Sequence, residues 1–310
     1  VTDDRDLLRA LQRPLAETSR EALGRFDSLA HYTRAAVASS ILTEDELWLS
    51  HVQALSDVSE VSAGARLIRR RLFRMAEAGA GGPLIAVLAR TFDQVFEEVF
   101  AAAFVFCLSG HDREADRDGR LAMWRAYGEE GDGACLVFDR DRLVEAGSCA
   151  MPTLWTAMVY ETEEAFEARL DAFFDTLDGV LGAGLTDRPT AELARVVGRC
   201  LMAYAMSHKH PAFRDEQEIR LFHVREPGEP APEGAAYGFC HETRGIRPIF
   251  RIDVRSAAGG HGVGDMLEEV ILGPSNNAPV HRLAMEAVLD AKGLGDRPIR
   301  LSEIPFRARR

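Results

Sequence analysis

The sequence predicts a mixed α+β protein with a central β core surrounded by helices. Three observations carry that expectation. Short apolar runs alternate irregularly with amphipathic stretches instead of in a regular βαβ series. Several strand-like runs follow one another in hairpin-like succession near the C-terminus. Two long helical stretches, about 161–182 and 190–208, form an insertion between strands. The expected organisation is an N-terminal helical segment over 1–27 and a single α+β domain over 28–310 carrying that insertion.

Residues 3–27 are charged and rich in Ala and Leu, which predicts helix with a break at Pro14. Ser28 to Thr33 reads as a short strand, with Thr33 placed to cap the small-residue helix that runs to Leu42. Glu46 to Ser50 alternates as a second strand, and Ser56-Asp57 with Glu60 resembles a capping box. Val61, Ala65, Ile68, Leu72 and Met75 then fall at helical spacing. Arg66, Arg69, Arg70 and Arg74 lie mostly off that stripe; the sharper reading is a nucleic-acid-binding helix, the plainer one a solvated basic face. Gly79 to Pro83 ends this helix, and a second one runs to about Ala102.

Phe104 to Ser109 is a continuous apolar run, the pattern of a strand covered on both faces. A charged loop, Gly110 to Gly119, leads to Met123–Gly128, where Trp124 and Tyr127 stand one helical turn apart. Further strands are expected over Ala134–Phe138, 151–160, 235–241, 247–254, 268–272 and Pro298–Leu301, and a helix after Gly273–Asn277 reaches about Lys292.

The acidic stretch from Lys209 to Val224 is the most distinctive in the chain. Asp215, Glu216 and Glu218 directly precede the alternating run Ile219, Leu221 and Val224, as on a loop entering a strand. On a regular strand Glu216 and Glu218 would share a face about 7 Å apart, each opposing the other's ionisation. A solvated acidic edge strand is the plainer alternative.

The totals restrict the classes of function. A 46% hydrophobic, 28% charged chain of 310 residues can bury a sizeable core. A net charge of −12 argues against broad binding to nucleic acid or to anionic membrane. No apolar run approaches the roughly 18 residues of a membrane span, and no secretory pattern is visible. Five dispersed cysteines without a C-x-x-C pair suggest reduced thiols, hence a cytoplasmic setting.

The common nucleotide-loop and serine-hydrolase signatures, G-x-x-x-x-G-K-[ST], G-x-G-x-x-G and G-x-S-x-G, are absent from the sequence. His208 and His210, at i and i+2 beside the acidic stretch, are poorly spaced for a metal, and no metal is expected. His261 lies in a glycine-rich loop and reads as incidental. Three pieces remain that can converge: His31-Tyr32-Thr33, Ser109 with Trp124 and Tyr127, and Glu216-Gln217-Glu218. A polar donor, an aromatic platform and a carboxylate suit a flat, cationic, ribose-bearing ligand such as the nicotinamide riboside end of NAD.

The segments HYT and LWLSHVQALSDVSE within 31–60, FVFCLS, LAMWRAYG and GACLVFD within 104–139, KHPAFRDEQEIRL at 209–221, VILGPSNN at 270–277 and SEIPFRAR at 302–309 resemble the bacterial domain-of-unknown-function family 2971. More distantly, the order His-Tyr, a strand ending in Ser, then E-x-E opening a later strand is similar to ADP-ribosyltransferases. That resemblance implies their fold for the β core and NAD as substrate. It makes Glu218 the catalytic glutamate, with His31 and Ser109 holding NAD, and Phe213 contacting the acceptor. Glu216 is then the acceptor-activating acid, Tyr32 and Thr33 flank the NAD contact, and Tyr127 or Trp124 is the nicotinamide platform. Arg214 joins Phe213 on the substrate side.

The reading that follows is a cytoplasmic ADP-ribosyltransferase acting on an unknown protein or nucleic-acid acceptor. The setting would be a toxin or phage-defence effector with an antitoxin or other regulatory partner. Two alternatives stay open. One is a non-catalytic binding module whose acids form a network with Arg214 and Arg220. The other is a hydrolase or nuclease holding Mg²⁺ with Asp215, Glu216 and Glu218.

Overall fold

A computed structural model describes residues 4–55, 58–149, 153–182, 190–226, 228–242, 245–257 and 262–306. The protein is mixed α+β, with a central mixed sheet and several helices, as the strand and helix patterning predicts. The Ser56-Asp57 cap, the His261 loop, the start of the 151–160 strand and the end of the SEIPFRAR segment lie outside the described residues.

The strands are β1 (Ser28–Arg34), β2 (Glu46–His51), β3 (Ala103–His111), β4 (Gly133–Asp139), β5 (Thr153–Ala157), β6 (Val159–Tyr160), β7 (His208–Lys209), β8 (Glu218–Val224), β9 (Ala235–Glu242), β10 (Gly245–Asp253), β11 (Leu267–Leu272) and β12 (Ile299–Leu301). The chain gathers into two compact units. The first comprises Val1–Arg20, Val52–Ala103 and Thr156–Arg214; the second Glu21–His51, Phe104–Trp155 and Asp215–Arg310.

The first unit is mainly helical. Leu7, Leu11 and Leu15 recur every four residues and are buried, giving the helix Asp4–Leu23 a core-facing stripe. That helix continues through Pro14 instead of breaking there. Proline in a helix interior costs on the order of 3 kcal/mol, and burial of the leucine stripe on both sides of it offsets such a cost. The helix Thr190–Ser207 is buried without interruption from Cys200 onward, the signature of a helix covered on every side. The helix Val58–Glu77 approaches it so closely at Gly64 that an added Cβ would lie 2.8 Å from the Ala205 carbonyl oxygen. The predicted stripe Val61, Ala65, Ile68 and Leu72 is buried on that helix. Its arginines face the helix Glu163–Gly182: Arg70 pairs with Glu163 and Glu167, Arg66 with Glu163, Arg74 with Glu167 and Arg71 with Asp171. Arg69 pairs with Asp93. The basic face is therefore matched by carboxylates within its own unit.

The second unit holds the sheet. Its strands run in the order β12-β11-β4-β1-β3-β2-β10-β9, and β8 lies off this path, paired with β3 and β5. The pairings β1–β3, β1–β4, β2–β3, β2–β10, β9–β10 and β4–β11 are antiparallel, and β11–β12 is parallel. β3 joins two halves: its end pairs with β1 and its beginning with β2. β1 pairs with β4 along all its length, Ser28↔Asp139 to Arg34↔Gly133, yet with β3 only from Ser28↔His111 to Ala30↔Ser109. The helix Ala35–Glu44 follows β1, but its N-cap is Arg34 without a side-chain bond, so Thr33 is a strand residue and not the cap.

Candidate functional site

The second unit positions the acidic stretch, and it departs there from strand alternation. Glu216 ends a 3-10 turn, Pro211–Glu216, and β8 begins only at Glu218. Gln217 between them has φ +46°, a left-handed conformation uncommon for a residue with a side chain. The expectation that the two glutamates share a strand face therefore does not apply.

Their surroundings differ accordingly. The buried Glu218 carboxylate accepts two hydrogen bonds from Arg220, Nε to Oε1 at 2.6 Å and Nη2 to Oε2 at 2.8 Å. Two residues apart on one strand, they stand on the same face, and the fork matches the carboxylate at both oxygens. Glu216, also buried, lies with both carboxylate oxygens 3.4 Å from the Tyr127 hydroxyl.

Glu216's backbone is held by an arginine that the sequence reading passed over. Arg120 donates Nε to Asp116 Oδ1 at 2.8 Å and Nη1 to Ser109 Oγ at 3.0 Å and to the Asp215 carbonyl at 3.2 Å. Its Nη2 reaches the Gly110 carbonyl, Asp116 Oδ2 and Gln217 Oε1. Six acceptors surround the five N–H donors of a guanidinium, so its donor capacity is committed. Ser109 Oγ passes the connection on by donating to the Glu216 carbonyl, and the Gly110 amide donates to the Gln217 carbonyl at 2.9 Å. Burial works to raise the Asp116 carboxyl, but hydrogen bonds from Arg120 and the Asp112 amide outweigh it and hold it below the usual range.

Register separates the other expected residues. Ala30 faces Ser109 across the β1–β3 ladder, so those side chains share a face, with Tyr32 two residues on. His31 lies on the opposite face. There its ring stacks on Phe106 with centroids 4.3 Å apart, and Nδ1 lies 2.8 Å from the Cys107 carbonyl. A carbonyl only accepts, so Nδ1 carries the proton. Burial drives the pKa of this half-buried ring down to about 4, opposed by the Cys107 bond and reinforced by Arg247, so the ring is neutral near pH 7 and Nε2 is an acceptor.

On the Ser109 face, Tyr32, Trp124, Cys135, Val137 and Ile271 form one apolar cluster with Tyr127 at its border. Tyr32 meets Trp124 edge to face at 5.0 Å, and its hydroxyl accepts from the Arg120 amide at 3.0 Å. Trp124 is fully enclosed, its Nε1 bonded to the Asp118 carbonyl. A Cβ at Gly119 or Gly128 would run into the indole, so glycine backbone closes over it. Trp124 is thus a core residue, whereas the half-buried Tyr127 has its hydroxyl at Glu216. Thr33 is half-buried on β1 opposite Ala134.

Phe213 and Arg214 belong to the first unit. The Phe213 ring is partly exposed with the buried Lys209 ammonium 5.1 Å from its centroid, and Arg214 donates to the Tyr160 carbonyl at 3.2 Å. In the same unit His208 faces Glu161, which also pairs with Arg169. Among the described residues no group of three or more His, Cys, Asp or Glu is arranged to hold a metal ion, and no helix is long and apolar enough to cross a membrane.

The second unit thus presents a mixed sheet whose β3–β8 junction carries a buried carboxylate beside a phenol, on a backbone pinned by an arginine. Residues 123–221, less than half of the chain, match the family described as Protein of unknown function (DUF2971). No curated protein and no solved structure matches the chain.

Proposed function

We propose that the protein cleaves the nicotinamide–ribose bond of NAD⁺ and transfers ADP-ribose to a macromolecular acceptor on a core of ADP-ribosyltransferase type. Glu216 is then the carboxylate that meets the developing ribosyl cation. The observation that carries this reading is the Glu216 site itself: a buried carboxylate against the Tyr127 hydroxyl, its backbone pinned by Ser109 and followed by left-handed Gln217. Strained backbone held by surrounding contacts is concentrated at functional sites, and a preorganised carboxylate stabilises an oxocarbenium-like centre. In the step, nicotinamide leaves with the C–N bonding pair. An acceptor atom supplies the pair that closes on the ribose carbon and gives its proton to the carboxylate.

The adjacency of β1, β3 and β8, which bear His31, Ser109 and Glu218, supports the resemblance in strand order. The roles are redistributed, however. Both Glu218 oxygens are engaged by Arg220, which suits an electrostatic brace for β8. Ser109 holds backbone, and Tyr127 is the aromatic group beside the carboxylate. His31 Nε2, on the other face of the ladder, is an acceptor for an amide or amino group. A toxin or phage-defence setting, with an antitoxin, belongs to the same proposal.

The Glu218–Arg220 pair also favours a second reading, a non-catalytic binding module in which the acids are structural. Nicotinamide release from NAD⁺, with and without EDTA, separates them. The transferase reading expects EDTA-resistant release that falls about 10²–10³-fold in Glu216→Gln. Intact NAD⁺, with no heat of binding in calorimetry, would sink the transferase and leave the binding module. EDTA-sensitive cleavage of nucleic acid would point to the metal-dependent hydrolase.

A further inference from the structure

The geometry points to Arg120 as the positioning residue of this site, setting the backbone of Glu216 without touching substrate; the functional side of this inference rests on the reading just given. Arg120 takes hold of the acidic turn on both sides of Glu216, at the Asp215 carbonyl and at the Gln217 side-chain oxygen. Through Ser109, whose hydroxyl accepts from Nη1 and donates to the Glu216 carbonyl, it also holds the residue between them. Three consecutive residues are thereby tied to one guanidinium. That guanidinium is itself fixed by a two-point pair with Asp116, four residues earlier, and by the Gly110 carbonyl at the end of β3.

The committed donors exclude a direct role. A phosphate or carboxylate ligand recruited by Arg120 would have to displace Asp116 or a backbone carbonyl. Position is what the arrangement supplies. A left-handed turn at Gln217 re-aims the chain between a 3-10 turn and a strand, and a non-glycine residue stays there only when its neighbours hold it. The Gly110 amide, bonded to the Gln217 carbonyl, reports on whether that turn is closed.

The test compares the parent with Arg120→Lys, which keeps the charge but not the planar fork. Two readouts are taken: hydrogen exchange at the Gly110 amide, and kcat and KM for nicotinamide release from NAD⁺. Loss of the clamp is expected to speed Gly110 exchange about tenfold or more, with other β3 amides unchanged. It is also expected to lower kcat while leaving KM for NAD⁺ nearly as it was. Ser109→Ala, which removes the bridging hydroxyl alone, should show the same pattern more weakly, and it serves if the lysine variant does not fold. Unchanged Gly110 exchange in a folded variant overturns the inference, as does a loss of activity confined to KM. A parent that never consumes NAD⁺ fails the transferase reading instead, and Gly110 exchange then decides the clamp alone.

Discussion

Glu218 and Arg220, two residues apart on β8, form a two-point ion pair in which both side chains are buried. Removing one partner leaves the other charged in a low-dielectric setting. Arg220→Ala should therefore destabilise the fold by about 3–5 kcal/mol in denaturant titrations. The double variant with Glu218→Ala should recover part of that loss. A single variant as stable as the parent would show that the pair contributes nothing net.

The Tyr127 hydroxyl is at the outer limit of hydrogen-bond distance from Glu216. Tyr127→Phe should accordingly change stability by no more than about 1 kcal/mol. Under the transferase reading it slows nicotinamide release less than the about 10²–10³-fold expected for Glu216→Gln. Equal losses in the two variants would make the phenol as important as the acid.

His31 gives the fold a pH dependence. An unfolded chain binds a proton at this ring near its ordinary value of 6.5, while the folded one resists until about 4. The unfolded state therefore takes up more protons across that window, and stability falls as pH drops from about 6.5 through about 4. Burial lowers the His111 pKa as well, Arg120 reinforcing it and Asp116, Glu269 and Glu268 opposing it, so that ring adds loss in the same direction. Denaturant titrations across pH 4–8 on the parent and His31→Asn check this: the variant's slope should be shallower. NMR of the imidazole resonances should show His31 still neutral at pH 5.

Gly64 allows a close approach of the helices Val58–Glu77 and Thr190–Ser207. Gly64→Ala sets a methyl group against Ala205 backbone, with the nearest atom at 2.8 Å, which the helices relieve only by moving apart. The expected cost is about 1–3 kcal/mol. Gly79→Ala is the comparison: open space surrounds that position, and any cost there comes from its positive φ.

The arginine face of the helix Val58–Glu77 should contribute little to stability. Arg70 and Glu163 are each about half exposed, with side-chain accessibilities of 47% and 48%, and pairs of this kind are worth roughly 0–1 kcal/mol. Arg70→Ala should lower the melting temperature slightly at low salt and not at all at high salt. A nucleic-acid affinity that vanished with Arg70 would restore the sharper reading of this face.

Strands were legible wherever apolar alternation is long and local: β1, β2 and β4 fall where Ser28–Thr33, Glu46–Ser50 and Ala134–Phe138 predicted them. The short helix Arg140–Cys149 was missed although Asp139 caps it, accepting from the Arg142 amide at 2.9 Å, because its charged first turn follows β4 directly. Pro14 misled because its local penalty is visible in sequence while the tertiary burial of Leu11 and Leu15 is not. At the site, the residue types were readable but their geometry was not. Alternation implied that Glu216 and Glu218 share a face, and nothing in the letters signals the left-handed Gln217 between them. Arg120 directly follows a charged loop that holds other arginines, and its acceptors come from two stretches, Ser109 and Gly110 at the end of β3 and the distant Asp215 and Gln217. The spacing Asp116–Arg120 was the one local hint, and it is shared by many surface pairs.

Because each unit is assembled from three stretches of chain, the order of synthesis bears on how the protein reaches its fold. Emerging from a ribosome, the first unit lacks its last helices until Arg214 has been made, and the second has by then only its first two stretches. Neither can close early: β2 waits for β10 and β4 for β11 until near the end of translation, so apolar strand edges stay open, a condition that invites chaperone engagement. The stretch 123–221 takes pieces of both units and completes neither. Produced alone, it should emerge as an aggregation-prone fragment, and expression trials are best framed around the full chain.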